Sequence, residues 1–200
     1  MVGIYGFGRI GKTTIAKVLY NRIAAQSMIA SFIANVREDS KSRGLLHLQK
    51  QLLQDILPRR KNFISNVDEG IHMIKDRLCF KKVLLVLDNV DDLNQLEALA
   101  GDHNWFGLGS RIIVTTRDKH LLEVHEMDAL YEAKKLDHKE VVELFSWNAF
   151  KQNHPKEDYE IVTNSVVHYV NGLPLGLKVL GSFLFGKTVH QWKSELHKLE

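Results

Sequence analysis

A short stretch near the start of the chain, GFGRIGKTT at residues 6–14, has residue types that could bind phosphate. Its spacing, G-x-x-x-x-G-K-T, is typical of phosphate-binding loops. Glycines let backbone N–H groups approach phosphate oxygens, the lysine reaches the β- and γ-phosphates, and a hydroxyl contacts Mg²⁺. A glycine-rich turn without a ligand is the alternative, and the strand and helix predicted on either side disfavour it. The residues predicted to bind nucleotide are Gly6, Gly8, Gly11, Lys12, Thr13 and Thr14.

Two side chains farther along the chain could complete such a site. Asp88 directly follows the apolar run VLLVL, where a carboxylate at the carboxyl end of a parallel strand could hold the metal. Arg117 ends the run RIIVTTR and could bind a terminal phosphate through a charge-assisted hydrogen bond. Taken alone, each has a simpler interpretation: Asp88 as a residue of a turn, and Arg117 as a solvated arginine after a strand. Asp91 and Asp92 are more simply explained as caps of the next helix.

The elements that must position these residues alternate between strands and helices. Apolar or β-branched runs predict strands at residues 1–6, 31–36, 83–87, 111–117 and 130–133. Apolar residues at helical spacing predict helices at residues 15–23, 45–56, 71–78, 93–100 and 119–124. The first of these helices is expected to bury Ile15, Val18, Leu19 and Ile23. This alternation predicts an α/β fold with the parallel sheet and flanking helices of a P-loop NTPase.

Beyond residue 135 the strand signals stop, and only helical spacing continues. Gly172 is expected to end one of these helices, and Pro174 is expected to open the next. The last helical face, Val189, Trp192, Leu196 and Leu199, runs to the end of the chain. We therefore predict a nucleotide-binding subdomain at residues 1–135 and a small helical subdomain at residues 136–200. Both ends of the chain suggest a fragment of a longer protein.

Composition excludes several classes of protein. The chain has 200 residues, 44% of them hydrophobic, and a net charge of +3. The basic run at residues 59–61 is too short to suggest a nucleic-acid-binding arm, and no apolar run approaches the roughly 20 residues of a membrane span. The ten histidines have no metal-ligand spacing. Cys79, the single cysteine, and the three tryptophans, Trp105, Trp147 and Trp192, are expected to be core residues.

Several segments together resemble the NB-ARC module of plant intracellular immune receptors. They are the phosphate-binding loop with its flanks, SFIANVRE, KKVLLVLDNVDDLNQLEALAG, GSRIIVTTRD, YEAKKLDHKEVVELFSWNAF and GLPLGLKVLG. FIANVRE and the aspartate at position 91 are similar to the branch that carries an N-terminal TIR domain, because the coiled-coil branch usually has tryptophan there. The resemblance implies flanking TIR and leucine-rich-repeat domains in a full-length protein located in the cytoplasm, with the nucleus as an alternative compartment.

The resemblance also implies roles for individual residues. Lys12 and Thr13 would contact phosphate and Mg²⁺, Asp88 would coordinate the metal, Arg117 would sense phosphate, and Pro174 would pack on adenine. The family acts as a switch: an ADP-bound resting state exchanges to ATP, and homo-oligomerisation then activates the attached signalling domain.

Three departures from the family pattern bear on these expectations. Arg9 stands where many relatives have glycine, which affects the geometry of the loop. Asn89 replaces the second acid of the usual LDD, so at most weak ATPase activity is expected, and Asn89→Asp is expected to speed ATP cleavage. The chain also ends before the winged-helix subdomain, whose histidine is expected to hold ADP.

The sequence leaves other functions open beside the switch. A turnover ATPase of the AAA-like type uses the same loop, but no substrate domain is visible. A small-molecule kinase would need an arginine-rich lid, which is also not visible. A relative that binds nothing and acts only through interactions is the remaining alternative.

Overall fold

The computed structural model of the protein describes residues 1–25, 29–58 and 63–198. The chain divides into two compact units. The first contains residues 1–8 and 12–133, and the second contains residues 9–11 and the chain from Lys134 onward. The basic run at residues 59–61 and Leu199 lie outside the described residues.

The first unit is built on a five-stranded sheet in which every pair of neighbouring strands is parallel. Its strands are β1 (Val2–Tyr5), β2 (Ile29–Ile33), β3 (Val83–Val90), β4 (Arg111–Thr116) and β5 (Ala129–Glu132). Their order across the sheet is β2-β3-β4-β1-β5. This order inserts β4 between β1, which leads into the phosphate-binding loop, and β3, which carries Asp88.

Helices in the first unit connect these strands, as parallel strands require. They are α1 (Lys12–Ala24), α2 (Val36–Arg43), α3 (Leu45–Ile56), α4 (Val67–Leu78), α5 (Leu93–Ala100) and α6 (Lys119–Val124). Strand β3 is buried at seven of its eight positions, as its continuous apolar run predicts. The core of the unit includes Leu85 and Leu87 of β3 and Leu48 and Leu52 of α3.

Helix α2 was not predicted from the sequence. The run SFIANV was expected to be a strand to residue 36, but β2 ends at Ile33 and Val36 already opens α2. Between them, Asn35 has φ 51°, a left-handed conformation that asparagine tolerates better than β-branched residues. A single residue therefore turns the chain from the sheet into a helix.

The second unit is helical, with helices α7 (His138–Phe150), α8 (Glu160–Val170), α9 (Pro174–Leu184) and α10 (Val189–His197). Its core is a separate cluster that includes Phe145 and Trp192, whose rings meet edge to face with centroids 5.6 Å apart. The indole N–H of Trp192 donates to the Leu184 carbonyl at 2.9 Å. Pro174 opens α9 in its first turn, and the left-handed Asn171 and Gly172 follow α8, as their residue types predict.

Three expectations about burial were wrong. Trp147 is 60% exposed on α7, so only two of the three tryptophans are core residues. Cys79 is only half-buried, because it caps the end of α4. Helix α1 forms as predicted, but its buried residue is Ala16, while Val18 is 46% exposed. The small side chain of Ala16 lets the helix backbone approach its neighbours closely.

Candidate functional site

The phosphate-binding loop joins β1 to α1 with an unusual backbone. Gly6 has φ 141°, and a Cβ at this position would lie 2.8 Å from the Ala133 carbonyl oxygen, so no other residue fits. Arg9 has φ 65°, a left-handed conformation that costs a residue with a Cβ roughly 1–2 kcal/mol. A glycine at position 9 would avoid this cost, because it has no Cβ.

Lys12 begins α1 and turns its side chain back over the loop. Its Nζ donates to the carbonyl oxygens of Gly6 at 2.7 Å and Phe7 at 2.8 Å. Burial lowers the pKa of the Lys12 ammonium, the charge of Arg117 lowers this pKa further, and Asp88 acts in the opposite direction. Arg117 and Asp88 therefore both lie within electrostatic reach of Lys12.

Asp88 is the centre of a hydrogen-bonded group of side chains. Its carboxylate is buried, with 2% of the residue exposed. The Thr13 hydroxyl donates to both carboxylate oxygens, at 2.9 and 3.1 Å, and the Thr115 hydroxyl donates to Oδ1 at 2.7 Å. The two residues predicted to hold Mg²⁺ are thus in direct contact across 75 positions of sequence.

Arg117 lies against the loop because Gly8 leaves room for it. A Cβ added at Gly8 would lie 3.3 Å from Cζ of the Arg117 guanidinium. That distance is shorter than ordinary van der Waals contact, so a side chain at position 8 would displace the arginine. Arg117 therefore lies where a group bound by the loop would meet its charge.

Asn89 follows Asp88 in a bulge of β3. Its φ is 65°, and the pairing of β3 with β4 shifts between Leu87 and Val90. The Asn89 backbone N–H donates to the Thr115 hydroxyl at 2.8 Å, and its side-chain NH₂ donates to Oε2 of Glu38 at 2.9 Å. The bulge therefore directs the Asn89 side chain towards α2.

The two aspartates after Val90 have different environments. Asp92 caps α5 by accepting from the Asn94 backbone N–H, as predicted. Asp91 is not a cap, because its carboxylate is 3.1 Å from Nε of Arg37 and 3.0 Å from Nζ of Lys41. Burial raises the pKa of Asp91, but hydrogen bonds from Lys41 and Gln95 and the charges of Lys41 and Arg37 together hold it below its usual value.

The sequence that forms this site matches a known protein family. The family model of the NB-ARC domain matches residues 1–155. The chain belongs to the NB-ARC family. The resemblance seen in the sequence is thereby confirmed.

Plant disease-resistance proteins are similar to this NB-ARC chain over its whole length. Disease resistance protein RPV1 from Vitis rotundifolia is 55% identical over 201 residues, and TMV resistance protein N from Nicotiana glutinosa is 41% identical over 207 residues. The match covers 100% of this chain in both cases, but 14% of RPV1 and 18% of N. The chain therefore spans less than a fifth of these relatives.

Solved structures similar to the NB-ARC chain support the fold. A chain from the structure of Drosophila ORC bound to DNA has a TM-score of 0.61 at 12% identity, covering 99% of this chain and 61% of that one. Cdc6p from Pyrobaculum aerophilum has a TM-score of 0.60 at 10% identity, with coverages of 97% and 56%. At these identities the likeness shows the fold alone, and the predicted P-loop NTPase fold class is confirmed.

Of the residues predicted for the NB-ARC site, Thr14 is exposed in the first turn of α1, and Gly11 and Pro174 belong to the second unit. Thr115 and Glu38 were missed. Thr115 lies in the run VTTR beside the predicted Arg117, but alternation alone does not reveal which hydroxyl faces Asp88. Glu38 lies in α2, a helix that was not predicted because residues 31–36 were expected to form a strand.

Proposed function

We propose that this NB-ARC chain binds an adenine nucleotide and acts as the switch module of an intracellular plant immune receptor. The observation that carries the proposal is the contact of Thr13 with Asp88, with Lys12 and Arg117 within electrostatic reach. The loop lies at the start of α1, where N–H groups of a helix N-terminus favour anions such as phosphates. The positive charges of Lys12 and Arg117 add to this preference. Pro174 would contact adenine, and Thr14 would assist the loop.

Mg²⁺ would be held by Thr13 and Asp88. Their hydroxyl and carboxylate oxygens are hard donors, which suit this ion. Among the described residues, no group of three or more His, Cys, Asp or Glu side chains could hold a metal ion. The remaining ligands would therefore be phosphate oxygens and water, as is usual for nucleotide-bound Mg²⁺.

In the full-length protein, exchange of ADP for ATP would control homo-oligomerisation and so activate the TIR domain, while the leucine-rich repeats perceive the signal. The helical second unit would be the first ARC subdomain, and the boundary near residue 135 would separate it from the nucleotide-binding subdomain. Similarity to disease-resistance proteins favours a switch over a turnover ATPase. No described helix is long and apolar enough to cross a membrane. Because the chain resembles intracellular immune receptors, we place the protein in the cytoplasm or nucleus.

Titration of ADP and ATP into residues 1–200 by calorimetry tests the proposal. Lys12→Ala should weaken binding of both nucleotides by about tenfold or more, since hydrogen bonds to charged groups contribute roughly 1.5–3 kcal/mol. Lys17→Ala, an exposed lysine on the same helix, is the matched control and should bind like wild type. Equal affinities for wild type and Lys12→Ala would refute the site. An ATP affinity that does not change when EDTA removes Mg²⁺ would refute the proposed Mg²⁺ site.

A further inference from the structure

The acids near the end of β3 differ in their hydrogen-bond and ion-pair partners. Asp88 is occupied by the hydroxyls of Thr13 and Thr115. Asp91 is paired with Arg37 and Lys41. Asp92 accepts from both the backbone N–H and the side-chain NH₂ of Asn94. Each of the three carboxylates is therefore held by hydrogen bonds or ion pairs within the protein.

Glu38 is a further acid beside this end of β3, and local sequence patterns give no reason to place it here. It lies in the first turn of α2, 51 positions before Asn89 in the chain. Within the described part of the chain, its carboxylate accepts one hydrogen bond, from the Asn89 NH₂ at 2.9 Å, while Nε of Arg37 is 4.0 Å away. With 58% of its side chain exposed, Glu38 is open to water.

The contact also determines the orientation of the Asn89 amide. A carboxylate only accepts hydrogen bonds, so the NH₂ of Asn89 must face Glu38. The left-handed backbone of Asn89 and its N–H bond to Thr115 hold the residue from the other side. Asn89 thus supplies a donor that an aspartate in the same place would lack.

We infer that Glu38 supplies the carboxylate that position 89 lacks and acts as the general base for slow ATP cleavage, an inference that rests on the proposed function. The water oxygen bonds to the γ-phosphorus, and the bond from this phosphorus to the bridging oxygen breaks, leaving its electron pair on ADP. The water proton passes to a carboxylate oxygen of Glu38. The products are ADP and inorganic phosphate.

The test compares Glu38→Gln with Asp39→Asn. Asp39 is the next residue, also in the first turn of α2, so its replacement removes the same charge from the same helix end. Single-turnover ATP cleavage should fall about 10²-fold or more in Glu38→Gln, which is the usual contribution of general-base catalysis, and stay near wild type in Asp39→Asn. Affinities for ADP and ATP should stay within about threefold of wild type in both variants, a difference that would correspond to less than one hydrogen bond.

A second readout does not depend on cleavage. In the nucleotide-free protein, the side-chain amide NMR signal of Asn89 should move in Glu38→Gln and stay in place in Asp39→Asn. Asn89→Asp should also slow cleavage, because it removes the donor to Glu38 and sets two carboxylates against each other. This result replaces the increase expected from the sequence alone.

Several results would overturn the inference. One is a Glu38→Gln variant that cleaves ATP at the wild-type rate. Another is an NMR signal of the Asn89 side-chain amide that does not move in Glu38→Gln. A third is faster ATP cleavage by Asn89→Asp. A wild-type protein that binds nucleotide but never cleaves it would overturn the role of Glu38 and leave the switch intact. A protein that binds no nucleotide would instead refute the proposed function itself.

Discussion

At the scale of single residues, Thr115 links two other residues of the site. Its hydroxyl donates to Asp88 and accepts from the backbone N–H of Asn89, so one buried oxygen holds two consecutive residues. Because Thr115 is only 1% exposed, water cannot replace either bond without rearrangement. The orientation of the Asp88 carboxylate towards Thr13 therefore depends on a residue of the neighbouring strand.

Replacing Thr115 by valine should destabilise the protein by about 1–3 kcal/mol, since it keeps the shape but leaves the backbone N–H of Asn89 without its partner and removes one hydrogen bond from the buried Asp88 carboxylate. Urea unfolding measures the loss. Thr163→Val is the matched control, because the buried Thr163 hydroxyl has no hydrogen-bond partner among the described residues. Its replacement should be neutral or stabilising, since an unpaired buried hydroxyl costs free energy. If both variants lost the same stability, the bonds of Thr115 would not matter.

Asp91 makes stability depend on pH. The pKa of its carboxyl lies below the usual value in the folded protein. The stability that this depression contributes is present above the unfolded pKa of about 3.9 and is lost as pH falls through the lower, folded pKa. Asp91→Asn should therefore reduce the free energy of unfolding by about 1 kcal/mol at pH 7.

Urea titrations of wild type and Asp91→Asn over a series of pH values down to about 3 check this expectation. The difference between the two proteins should shrink once the pH falls below about 4. A difference that stays constant across the series would show that the ion pairs with Arg37 and Lys41 do not contribute.

At the scale of elements, α4 depends on a glycine in its middle. Gly70 is buried, and a Cβ there would lie 2.0 Å from Oε1 of Gln49. The Gln49 NH₂ donates to the carbonyls of Val67 at 3.0 Å and Ala98 at 2.9 Å, so its amide holds α3, α4 and α5 together. The amide cannot move away without breaking these bonds.

Gly70→Ala should therefore destabilise the protein by about 1–3 kcal/mol, even though alanine is the better helix former by about 1 kcal/mol. Thermal or urea unfolding measures the change. Combining Gly70→Ala with Gln49→Ala tests the cause, because the shorter side chain removes the clash. The double variant should lose less stability than the sum of the two single losses. Purely additive losses would place the cost elsewhere.

At the scale of the whole molecule, each unit has its own hydrophobic core. Leu177 of α9 is fully buried in the second core, while Leu175 on the same helix is 49% exposed. Leu177→Ala should cost about 2–5 kcal/mol and Leu175→Ala less than about 0.5 kcal/mol. Hydrogen exchange should show the loss of protection in α7 to α10, with a smaller change in β3. Equal loss in β3 would mean that the chain unfolds as one unit.

The sequence by itself determined the features that depend on neighbouring residues. The phosphate-binding loop, the buried strand before Asp88 and the helix that Asp92 caps follow from local spacing, since each pattern lies within a few residues of its consequence. The P-loop fold class follows from the alternation of these elements. For the same reason, the place of Arg117 at the end of a strand was predictable.

Only the tertiary structure decided which elements are neighbours. The strand order sets β4 beside β3, and this brings Thr115 to Asp88; local patterns carry no information about strand order. Asn35 turned an expected strand into α2, and this placed Glu38 beside Asn89. Contacts between residues 27 and 51 positions apart depend on how the chain packs its core. The sequence alone therefore showed an asparagine at position 89, and the fold placed the carboxylate of Glu38, from α2, beside it.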